Sequence, residues 1–132
     1  MKNLLTVSAV AEAGTGLGLV AAPTLVASIL FGSPLDTPVA STVARVAGVA
    51  LLALGSACWR ARHDGHGLAA RGVVGAMVVY NAGVLAVLVH AGAGLGLSGI
   101  GLWPATMVHA LMATWCVATL RRPAATAKVA EG

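Results

Sequence analysis

Four apolar runs, 4–31, 39–59, 72–92 and 104–120, take up most of this sequence, and only two charged side chains, Glu12 and Arg45, fall inside them. A helical run of about 20 apolar residues matches the ~30 Å hydrocarbon core of a bilayer. In lipid every backbone polar group must be satisfied within the segment, so such runs cross as helices. The chain is therefore read as an all-α integral membrane protein, a four-transmembrane-helix bundle over residues 1–122 followed by a tail, 123–132. Composition agrees: 9% of the residues are charged and 58% hydrophobic, whereas soluble domains carry roughly a quarter charged residues.

The connections separate the runs clearly. Run 4–31 would be roughly 42 Å long as one helix, too long for the bilayer, and Pro23 supplies a place for a kink or break because it lacks an N–H. A turn, Gly32-Ser33-Pro34-Leu35-Asp36-Thr37-Pro38, follows. The stretch Arg60–Arg71 (RARHDGHGLAAR) is strongly hydrophilic, and the stretch before Pro104 is glycine-rich. Pro104 suits the first turn of the fourth helix, where its missing N–H has no partner to lose.

Basic residues set the orientation. Lys2, Arg60, Arg62, Arg71, Arg121, Arg122 and Lys128 all flank one end of the runs, and the connections at the other end hold no Lys or Arg. The positive-inside rule places both termini and the Arg60–Arg71 loop in the cytoplasm, with the protein in the inner (plasma) membrane. The net charge of +4 is thus spent on flanks, and the expected partner is the lipid bilayer rather than nucleic acid. Trp59 and Trp103 read as interface anchors. Lys2 and Ala11-Glu12-Ala13 imitate a cleavable signal, but hydrophobicity continues to Phe31, so the segment is read as a span.

Small residues mark packing faces: Gly14, Gly18 and Ala22 on the first helix, and Ala44, Gly48 and Leu52, with Gly55 near them, on the second. Such spacing lets backbones approach closely. It fits an internal seam, a homo-oligomer or a larger complex equally.

One polar residue per helix falls in the middle of the membrane. Counted at 1.5 Å per residue from the basic ends, Glu12 and Asn81 lie roughly 13 Å deep, His109 roughly 16 Å and Arg45 roughly 21 Å. A lone charge there costs about 2.5–3.5 kcal/mol on insertion scales, so Glu12 and Arg45 are expected to face inward as a pair, flanked by Asn81 and His109. Tyr80, beside Asn81, is expected to line the same cavity. The functional reading is a site that binds or translocates a small solute, ion or proton, with Glu12 titrating and Arg45 as counter-charge. The alternative is an accessory subunit with no site of its own, the cluster only fixing helix register. A further reading takes His90 and His109 as ligands of a b-type haem. Otherwise no cofactor is expected.

The remaining candidates are weaker. His63, Asp64 and His66 read as solvated loop residues rather than a metal site, and Cys58 and Cys116 as reduced, apolar filler. No nucleophile, nucleotide or metal motif indicates an enzyme. In having four spans and a glutamate in the first, within Ala11-Glu12-Ala13-Gly14-Thr15-Gly16, the chain loosely resembles the small multidrug resistance transporters. The likeness stops there: that family's aromatic site lining has no counterpart among five aromatics, its members often have a weaker charge bias, and Arg45 and His109 depart from its pattern.

Overall fold

The computed structural model describes residues 1–65 and 67–122; His66 and the expected tail, 123–132, lie outside the described residues. Helices α1 (Lys2–Ala21), α2 (Pro23–Phe31), α3 (Pro38–Ala61), α4 (Leu68–Val89) and α5 (Leu102–Arg121) run up and down, and a π-helical turn, His90–Gly94, prolongs α4. Among the described residues Lys2–Ala21, Pro38–Ala61 and Leu68–Gly94 are long and apolar enough to cross a membrane, the make-up of a multi-pass membrane protein. Helix α5 has 20 residues as well, but Pro104, His109 and three threonines dilute its apolar run.

The burial pattern is that of a protein solvated by lipid. Val39, Val43, Val46 and Val49 form an exposed apolar face on α3, while Ser8, Glu12, Asn81, Thr106 and Thr119 are buried. Water would favour the reverse arrangement; hydrocarbon favours this one, because a polar group can find partners only inside the bundle.

The first apolar run is two helices, not one. Ala22 leaves helical geometry at φ −139°, ψ 62°, and Pro23 cannot donate to the Leu19 carbonyl. The break also releases the carbonyl of Val20, which accepts a hydrogen bond from the Arg45 guanidinium. Helix α2 continues to Gly32, whose φ of 76° closes it in the left-handed conformation that glycine adopts without strain.

Helices α1 and α3 make the closest contact in the bundle. A Cβ on Gly16 would lie 2.7 Å from the Gly48 carbonyl oxygen, and one on Gly48 would lie 2.8 Å from that of Gly16. Seven residues along, Gly55 sits against the backbone of Ala9 and Ala13, at 3.1 and 3.2 Å from the same construction. Moving forward on one helix moves the contact back on the other, so the pair is antiparallel, with small residues seven apart. This corrects the expected face of α1: a Cβ on Gly14 would meet nothing within 4 Å, and one on Gly18 would meet only Val26 of α2. The α3 residues Gly48 and Gly55 do lie in the seam.

The two ends are closed differently. At the basic end Leu4, Leu5, Ala9, Cys58, Ala61, Ala70, Val74, Met77 and Cys116 form one packed core. There Arg62 stacks on Trp59 at 3.1 Å from the ring centroid, and Asp64 accepts from the Ala70 N–H at 3.1 Å, capping α4. At the far end a smaller cluster, Leu88, Ala91 and Leu102, packs with Leu30 and Phe31. The Gly101 N–H donates to the Ile29 carbonyl at 2.9 Å, so the glycine-rich connection fastens α2 to the start of α5. Gly99 is needed there because any Cβ would collide with the backbone of Ile29 and Leu30.

Candidate ligand cleft and its polar floor

On α1 the buried positions Leu5, Ala9, Glu12 and Gly16 are spaced 4, 3 and 4, and on α4 Ala70, Val74, Met77 and Asn81 repeat that spacing. This is the seam periodicity of packed, nearly aligned helices. Glu12 and Asn81 therefore occupy positions that an apolar core residue would ordinarily take. They are among the most buried polar residues, at 6% and 1% exposure.

Asn81 is tied at both ends of its amide. Its Nδ2 donates to the Met77 carbonyl at 2.8 Å, and its Oδ1 lies 2.9 Å from Nδ1 of His109 on α5. Because the Asn81 oxygen can only accept, Nδ1 must carry the proton. In the neutral imidazole this leaves Nε2 as a bare acceptor.

Tyr80 sets its ring edge-on to His109, with centroids 5.7 Å apart and planes at 75°, a favourable quadrupolar arrangement. Its hydroxyl lies near the Glu12 carboxyl. Helices α1, α4 and α5 thus bring Glu12, Tyr80, Asn81 and His109 together. One turn from Glu12 toward the basic end, Ser8 is fully buried and its Oγ has no hydrogen-bond partner. Cys58 and Cys116 are both buried as free thiols in the core on that side.

Arg45 does not join this group. It lies on an exposed part of α3 with its guanidinium turned to the Val20 carbonyl, so the expected pairing with Glu12 gives way to a cap on the broken end of α1. His90 is also elsewhere: it borders a separate groove with Leu85, Ala86 and Val89, whereas His109 does not. That groove is distinct from the one His109 lines. Among the described residues no three His, Cys, Asp or Glu side chains are grouped to hold a metal.

Tyr80 and His109 form the floor of a cleft of about 580 Å³ between α1–α2 and α4–α5. Its walls include Leu19, Val26, Leu30, Leu51, Val84 and Leu88, with Thr15 also on the lining. All of these lie at or beyond the level of Glu12 on the side away from the basic end, where the core is packed shut. The cleft is thus an apolar chamber in one half of the bundle, ending on polar groups near its middle. Each floor residue is backed by a buried partner, Tyr80 by Glu12 and His109 by Asn81.

Thr15 and Ser8 are absent from the sequence-derived candidates. Ser8 was legible in principle, since it precedes Glu12 by four residues and so shares its face. Thr15 was not, because its role depends on a chamber formed by other helices. No known protein family, curated protein or solved structure matches the chain.

Proposed function

We propose that this chain is a four-span inner-membrane protein, with both termini in the cytoplasm, that binds a small solute in the cleft and exchanges a proton at Glu12. The observation that carries the reading is the one-sided chamber, apolar along its walls and closed at mid-depth by Tyr80 and His109. Pockets built for small molecules have this mixture of apolar lining and few placed polar groups. Glu12 behind Tyr80 supplies the ionisable group that such a site rarely carries without use.

The orientation rests on the basic residues gathered at one end, which puts the cleft in the outer half of the membrane. A solute would then enter from the outer leaflet or the outside. Movement through the basic end would require the packed core of Leu5, Ala9, Val74 and Met77 to open, with Ser8 as the buried polar atom on that route. Arg45 has no part in this scheme, because its partner is a backbone carbonyl.

Reconstituted protein tests the proposal. In vesicles with an imposed pH gradient, the wild type is expected to show solute- or proton-dependent fluorescence changes that Glu12→Gln abolishes. An identical response in both proteins would overturn the role of Glu12. An inert wild type across a broad solute set would favour the accessory-subunit reading.

A further inference from the structure

The hydrogen bonding of the floor restricts what the cleft can recognise. Asn81 holds the Nδ1 proton of His109, so the neutral ring offers Nε2, an acceptor, as its remaining polar atom. The Tyr80 hydroxyl lies near the Glu12 carboxyl. Thr15 adds a hydroxyl to the lining without the bond to the carbonyl four residues back that Thr6, Thr42, Thr106, Thr114 and Thr119 make. Everything else on the walls is apolar or glycine. A ligand carrying only acceptors would cover Nε2 without pairing it, and an acceptor buried without a partner costs its full desolvation penalty.

We infer, building on the binding role proposed above, that the cleft takes a lipophilic alcohol or phenol, whose hydroxyl donates to Nε2 of His109 while its apolar body lies along Val84, Leu88, Val26 and Leu30. Asn81 is a positioning residue in this scheme: it touches no ligand and acts by fixing which ring nitrogen bears the proton. A cleft reached from the outer half of the bilayer suits such molecules, which concentrate near the lipid–water boundary with their polar end outward.

The test compares 4-propylphenol with 4-propylanisole, its methyl ether, for binding to the protein in lipid nanodiscs, with empty nanodiscs as the partition baseline. The two share the apolar body, and only the phenol can donate. The phenol is expected to bind about tenfold more tightly, the discrimination of one well-placed hydrogen bond. His109→Phe should erase that difference, and Asn81→Leu should reduce it by letting the ring present either nitrogen. Equal binding of both compounds to the wild type would overturn the donor requirement while leaving a binding cleft in place. Binding of neither would overturn the cleft as a site and this inference with it. A phenol preference that survives in His109→Phe would overturn the assignment to His109. Should that variant fail to fold, the wild-type comparison still decides the donor requirement.

Discussion

Asn81 and His109, on neighbouring antiparallel helices, share one hydrogen bond of 2.9 Å whose direction is decided by a third atom, the Met77 carbonyl that takes the Asn81 amide N–H₂. The bond runs from a seam position of α4 to a half-buried residue of α5, so it both joins the two helices and sets the chemistry of the cleft floor. A double-mutant cycle with Asn81→Ala and His109→Ala, read by unfolding in detergent or bicelles, is expected to show coupling of about 0.5–1.7 kcal/mol, the range of interhelical hydrogen bonds in membrane proteins. Additive effects would mean that the two side chains do not hold each other.

The α1–α3 seam leaves no room for a side chain at Gly16, because a Cβ there would approach the Gly48 oxygen to 2.7 Å. Gly16→Val should destabilise the protein by about 1–3 kcal/mol through overpacking. Gly14→Ala, where a Cβ meets nothing within 4 Å, should be neutral or slightly stabilising, since alanine is the better helix former. Equal melting of the two variants would place the seam elsewhere.

Arg45 serves the break in the first apolar run. In Pro23→Ala the helix can continue, and the Val20 carbonyl regains an N–H from within its own segment. The effect of Arg45→Met should therefore depend on Pro23, with coupling of about 1 kcal/mol, one net hydrogen bond. The same substitution combined with Glu12→Gln should be additive within about 0.5 kcal/mol, as expected of groups without a shared partner. Strong coupling to Glu12 would restore the ion pair that the depths of the two residues suggested.

Labelling checks the proposed orientation. In a Cys58→Ala/Cys116→Ala background, Ser33→Cys at the α2–α3 turn should react with an impermeant maleimide added to intact cells. His63→Cys in the α3–α4 loop should react only after the membrane is opened. The opposite pattern would invert the topology and put the cleft in the inner half.

Much of the site was legible residue by residue. Glu12, Asn81 and His109 stand out as polar side chains in apolar runs, and the constant rise of a helix places all three near one depth. Pairing was not legible in the same way. Each residue turns the helix by about 100°, so a similar depth says nothing about which side of the bundle a side chain faces. Arg45 matched the others in depth and yet faces the end of α1. Gly14 and Gly16, two residues apart, point to nearly opposite sides, and only the latter meets α3.

The sequence by itself determined that the chain carries helices apolar and long enough to cross a membrane, where those helices begin and end to within a few residues, and that one end carries the basic charge. Those properties follow from local composition and from the need of each apolar segment to satisfy its own backbone. The tertiary structure decided the rest: that α1 and α3 approach through Gly16 and Gly48, that Tyr80 rather than Arg45 lies near Glu12, and that a chamber opens in the half of the bundle where the walls are held apart. These depend on helix rotation and on the fit of one surface against another, and no single segment contains that information.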